Sequence, residues 1–152
     1  MQTIKSTRRK RYSSRVAESS SRYHRIKHNP VIMTAQKAYD HLGDYHSKEK
    51  EYFIAITLDG ANRAIDTHIV SIGTLNQSLV HPREVFINAI RDKAAAIIIA
   101  HNHPSGQLFP SRADKQITTR LKDAGKLIGI DIVDHLILTQ GGFYSFSDEG
   151  EL

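Results

Sequence analysis

The chain contains no cysteine. Disulfides, thiol nucleophiles and thiolate metal sites are therefore excluded, which leaves His, Asp and Glu as the only protein metal ligands. The absence is compatible with a reducing cytoplasm, and cytoplasmic residence is the expectation. Long apolar runs are missing too. The longest, AAAIIIA at 94–100, is about a third of the roughly 20 residues that a membrane-spanning helix needs, so no membrane partner is expected. No apolar h-region of a secretory signal is found, and no internal repeat is visible. Acidic side chains are scarce at one end. Residues 1–29 carry nine Lys or Arg against the single Glu18, while the other 123 residues hold 12 basic and 15 acidic side chains. The formal net charge of +5 thus averages a tail of +8 and a mildly acidic remainder of −3.

The 152 residues suffice for one domain with a real core and are too few for two ordinary ones. Residues 1–29, rich in Ser and Arg and poor in apolar side chains, are expected to form a disordered basic tail. Three uses suit such a tail: an arm that neutralises nucleic-acid phosphates, a transit peptide, or a solvated extension with no dedicated partner. Residues 30–152 read as the folded domain. Thr34 caps a helix bearing Ala35, Ala38, Tyr39 and Leu42, ended by Gly43. A strand over 52–58, a turn at Asp59-Gly60-Ala61-Asn62 and a strand over 63–72 read as a hairpin. After a loop, Pro82 opens a helix with Val85, Phe86, Ala89 and Ile90 as its apolar stripe. AAAIIIA lacks alternation and reads as a central strand buried on both faces. Ser111 opens a further helix, with Ile117, Leu121, Ala124 and Leu127 facing inward and Gly125 and Gly129 loosening its end. A strand over 130–138, a Gly141-Gly142 turn and a short FYSF strand complete an α/β domain with a mixed sheet.

The chemistry concentrates in HNHPSGQLFPSRAD at 101–114. A strand delivering His101 and His103 sends both imidazoles to one side, since strand side chains alternate with period two. Asp114, in the first turn of the next helix, supplies a carboxylate. Two imidazoles and one carboxylate make a three-ligand zinc site with its fourth position open to water, the catalytic arrangement. Hydrolysis also needs a base. Glu51, just before the first strand, is the candidate, and spacing alone does not separate it from Glu49. Ser111 is placed to donate to a developing oxyanion. Each element also has a plain reading: Ser111-x-x-Asp114 as a capping box, His-x-His as polar loop, Glu51 as a solvated charge. Their combination at these spacings points to a metal. His81 reads as closing the loop before its helix and His135 as packing behind the site. His24, His28, His41, His46 and His68 show no partner pattern.

The set Glu…His-x-His…Ser-x-x-Asp resembles the JAMM (MPN+/JAB) metalloproteases, whose pattern is a distant Glu, then H-x-H, seven residues and S-x-x-D. Here the seven are Pro104 to Pro110. The chain is most similar to the bacterial RadC-like branch, through EYFIAITLD, GTL, VHPREVF, AAAIIIAHNHPSG, PSRAD and DHLIL across residues 34–152. The resemblance implies a mixed sheet flanked by helices, related in architecture to the cytidine deaminases. It also implies one zinc ion on His101, His103 and Asp114, Glu51 as general base, Ser111 as oxyanion support, and a peptide or protein substrate. Asn102 stands where deubiquitinating members have Ser or Thr, so their isopeptide substrate is not implied. The N-terminal helix-hairpin-helix region of full-length RadC proteins is absent from the 152 residues, so a short form is expected. Three classes of function stay open: a zinc-dependent peptidase or related amide hydrolase, a nucleic-acid-associated repair or mobile-element protein using the basic tail, and a metal-stabilised interaction module without turnover. A zinc deaminase is excluded, because its signature needs cysteine. The contiguous HNH letters do not make an HNH nuclease, whose residues are dispersed over a ββα unit.

Overall fold

The computed structural model describes residues 29–73 and 80–152. Residues 1–28 of the expected basic tail over 1–29, with His24 and His28, and the loop over 74–79, with part of the GTL motif, lie outside the described residues. Pro30 leads into α1 (Ala35–His41), where the Thr34 hydroxyl oxygen accepts from the Lys37 N–H as expected of an N-cap. Leu42 closes this helix, and Gly43 starts a short 3-10 turn over Gly43–Tyr45 rather than ending the helix itself. The hairpin follows as β1 (Tyr52–Leu58) and β2 (Ala64–Ile72), then α2 (Pro82–Arg91), β3 (Ala96–Asn102), α3 (Arg112–Ile128), β4 (Asp131–Thr139) and β5 (Gly142–Ser145).

The strands form one mixed sheet in the order β2-β1-β3-β4-β5. Of these strands only β3 and β4 run parallel; β1 pairs antiparallel with β2 and β3, and β4 antiparallel with β5. The α3 crossover is what makes the parallel pair possible, since parallel strands need a connection long enough to return along the sheet. As its unbroken apolar run foretold, β3 is central, and all seven of its residues are buried.

Alternation along the strands sorts the core into two layers. Phe53, Ala55, Ile97 and Ile99 pack with Val85, Phe86, Ile117 and Leu121 beneath α2 and α3. Ile54, Ile56, Ile98 and Ala100 pack with Ala35, Ala38 and Leu42 beneath α1. Two expected core positions lie outside. Ile90 is 58% exposed and Leu127 90% exposed, because each falls to one side of the stripe its helix buries, which still includes the nearby Ala89 and Gly125. Gly125 also has a different role from the one its sequence suggested. A Cβ there would stand 2.5 Å from the Ile130 carbonyl oxygen and 3.3 Å from the Phe86 ring. Glycine lets α3 approach β4 closely, and it is Gly129, at φ 79°, that ends the helix.

Candidate metal centre

The odd-numbered positions that bury Ile97 and Ile99 toward α2 and α3 continue in phase to His101 and His103. Both imidazoles therefore enter the layer that contains the start of α3. His103, just past the strand, keeps the sheet's direction because its N–H donates to the Leu138 carbonyl on β4 at 2.9 Å. Ser111 is the N-cap of α3, and a reciprocal capping box ties its N–H to Asp114 Oδ2 at 2.6 Å and the Asp114 N–H to its Oγ at 3.1 Å. The cap fixes the carboxylate without removing it from the histidines. Asp114 Oδ1 lies 3.2 Å from His101 Nε2, and Oδ2 lies 3.5 Å from His103 Nε2. The plain capping role and the ligand geometry thus coexist in one side chain.

The two Nε2 atoms are 2.9 Å apart, and the surrounding hydrogen bonds fix which of them carry protons. The Thr118 hydroxyl donates to the Asp114 carbonyl oxygen at 2.6 Å. Toward His135 Nδ1, also 2.6 Å away, the same oxygen can therefore only accept. Burial, reinforced by the positive charge His101 would carry, holds His135 well below the ordinary imidazole range, so its Nε2 is a bare lone pair. That lone pair accepts from His101 Nδ1–H at 2.9 Å. Burial also lowers the pKa of His101, more than Asp114 raises it, and its Nε2 is left bare. His103 donates from Nδ1 to the Gln107 carbonyl at 2.6 Å, so its Nε2 also faces inward as the acceptor when neutral. Two imidazole lone pairs and a carboxylate then converge on one point.

Three electron-pair donors converging without a proton between them repel unless a cation joins them. The hydrogen bond to Asp114 raises the pKa of His103, so in metal-free protein a proton can fill that place, and a metal ion displaces it. Burial pushes the Asp114 carboxyl upward, but the facing histidines and the Ser111 contact outweigh it and hold the group below the usual carboxylate range. The spacing fits a small tetrahedral ion. The nitrogens are 2.9 Å apart and each faces a different Asp114 oxygen, at 3.2 and 3.5 Å, near the roughly 3.3 Å between ligands of a tetrahedron with bonds of about 2.0–2.1 Å. Among the described residues, His101, His103 and Asp114 form a group that could hold a metal ion.

Glu51 reaches the same face. It is in phase with Phe53 and Ala55, and Phe53 is paired opposite His101 across β1 and β3. Its charge raises the pKa of both His101 and His103, while Glu49 is exposed on the segment before it. Distance to the histidines, which spacing could not supply, separates the two carboxylates. His135 packs behind the site as expected, its ring stacked on that of Phe146 with centroids 4.8 Å apart. Thr118 was not singled out by sequence; its only signal is a position four residues after Asp114, on the same side of α3. His81 caps α2, its Nδ1 accepting from the Arg83 N–H.

Residues 32–151 match the family model of the RadC-like JAB domain. The chain belongs to that family. It is 45% identical over 141 residues to a UPF0758 protein of Geotalea uraniireducens, a match that covers 92% of this chain and 58% of that protein. It is 50% identical to a UPF0758 protein of Geobacter sulfurreducens over 77% of this chain and 52% of the relative. A UPF0758 protein of Symbiobacterium thermophilum is 56% identical over 67% of this chain and 44% of its own length. The chain therefore spans about half the length of the curated relatives it matches. The α/β architecture with a mixed sheet is that of a JAB/MPN domain. No described helix is long and apolar enough to cross a membrane.

Proposed function

We propose that this RadC-like JAB domain is a zinc-dependent amide hydrolase of JAMM type, acting on a peptide or protein. The observation that carries the reading is the convergence of two imidazole lone pairs and a carboxylate within 2.9–3.5 Å, with Glu51 on the same face of the sheet. His101, His103 and Asp114 would hold one zinc ion and leave its fourth position open. When bound, zinc supplies a water of lowered pKa and a Lewis acid for the substrate carbonyl.

Glu51 takes the proton from the attacking water and returns it to the departing nitrogen as the C–N bond breaks. Ser111 Oγ already accepts from the Asp114 N–H, which leaves its hydroxyl hydrogen to donate to the carbonyl oxygen as that atom gains negative charge. The Thr118–His135 chain holds the His101 ring in the tautomer that offers Nε2. A cleft of about 360 Å³ opens beside His103, lined by Ser47, Lys48, Ser105, Gly106 and Gln140 among others. It lies at the small end of ligand-sized pockets and suits a short piece of extended chain.

The test is a peptide library read by mass spectrometry with the zinc-loaded chain. New amine termini that disappear with Glu51→Gln support the reading. Unchanged cleavage in that variant removes Glu51 from the reaction, and no cleavage by the fully loaded native chain favours a metal-stabilised module instead.

A further inference from the structure

The antiparallel pairing of β1 with β3 runs from Leu58 opposite Ala96 to Phe53 opposite His101 and stops there. Continued by two residues it would set Tyr52 against Asn102 and Glu51 against His103. The paired ladder ends before that point. A side chain takes over where the backbone ladder ends. Asn102 is fully buried. Its Oδ1 accepts from the Tyr52 N–H at 2.7 Å, and its Nδ2 donates to the carbonyl oxygens of Lys48 at 3.1 Å and Lys50 at 2.9 Å.

Three of the four bonds an asparagine amide can make are thus spent on one five-residue segment. The chemistry is selective for an amide. Aspartate would keep the acceptor for Tyr52 but turn a second acceptor on two carbonyls. Serine or threonine has one donor and a shorter reach. Alternation along β3 also matters, since Asn102 points to the α1 side while its neighbours His101 and His103 point to the α3 side.

We infer that Asn102 is the positioning residue for Glu51: it clamps the backbone of residues 48–52 to β3, so that ligands and base are held as one unit. The catalytic consequence rests on the reading of Glu51 as the base; the clamp itself does not. Holding a base within ångströms of its target is worth having, because a misplacement of about 1 Å can cost on the order of 100-fold in rate.

Two measurements test this on the full chain, with Asn102→Ala and the near-isosteric Asn102→Asp as variants. The first is amide hydrogen exchange of the zinc-loaded proteins. Exchange at Tyr52 should quicken by about tenfold or more in both variants while the amides of β3 and β4 stay protected. Unchanged exchange at Tyr52 overturns the clamp. Asn102→Asp keeps the question open to measurement if Asn102→Ala does not fold. The second uses cobalt(II) in place of zinc and reads its visible absorption bands. Glu51→Gln should shift the bands when Asn102 is present and add nothing in the Asn102→Asp background. Equal shifts in both backgrounds overturn the positioning role. Bands unmoved by Glu51→Gln in the otherwise native chain remove the base reading, and Tyr52 exchange then decides the clamp by itself.

Discussion

Among the described residues the fold brings histidine against carboxylate in two places, and only one of them groups enough ligands that it could hold a metal. At the end of β3, two imidazoles and Asp114 meet, and each imidazole has its outer proton committed to a neighbour. At the other side of the sheet, His68 Nε2 on β2 lies 2.6 Å from Asp92 Oδ2, at the C-cap of α2. The Thr57 hydroxyl donates to the same Asp92 oxygen at 2.7 Å. The second pair is closer than either histidine–carboxylate contact of the first, yet it has a single imidazole, and its carboxylate oxygen already has two partners. Closeness does not make a ligand set. What makes one is the number of lone pairs left pointing inward after every proton has been assigned.

His101→Ala removes one of three ligands and should have the largest effect. Zinc content measured by elemental analysis should fall from about one per chain toward zero, with affinity down by more than the roughly 100-fold that loss of a supporting residue can cause. His68→Ala, at the other pair, should leave the zinc content unchanged. Metal loss from both variants alike would erase the distinction. Glu51→Gln comes next. It should retain the metal and reduce any hydrolysis by about 10²–10⁴-fold, the usual contribution of a general base. A parallel loss of zinc would make Glu51 part of the ligand set instead.

Thr118→Val sharpens the comparison from behind the site. The His135 Nδ1–H loses its acceptor, His101 loses a fixed tautomer, and zinc affinity should drop by about 10–100-fold with the sheet intact. Isothermal titration of the metal-free chain reads this directly, and an unchanged affinity would mean that His101 is oriented by packing against Phe53 alone, whose ring lies 6.1 Å away.

The two clusters also differ in how far the sequence betrayed them. His101, His103, Ser111 and Asp114 lie within one strand-loop-helix passage, so local periodicity and capping were enough to bring them together. Glu51 needed the resemblance, because choosing it over Glu49 depends on how near each comes to His101 and His103, a property of two separated segments. His68 and Asp92 showed no pattern at all, being 24 residues apart and joined only by the way α2 returns to the sheet. Thr118 looks like any threonine in a helix until His135 arrives from β4. The strands and helices were legible nearly to the residue, as β1 and the Pro82 start of α2 show. Leu127 and Gly125 were not, because steps of three and four residues do not say how far a late position has drifted off the buried stripe or where backbone meets backbone.

The smallest effect belongs to the second pair and carries the comparison to its end. His68 and Asp92 side chains keep 20% and 18% of their surface exposed, so the bond between them is partly solvated and discounted accordingly. Asp92→Asn keeps the Thr57 contact, since the amide oxygen still accepts, and weakens only the tie to His68. Thermal unfolding should register a loss of about 1 kcal/mol or less, with zinc affinity unaltered. A tie of this kind joins β2, β1 and the end of α2 and does no more. If Asp92→Asn instead lowered zinc affinity, the two ends of the sheet would be coupled through β1, the strand that Glu51 precedes.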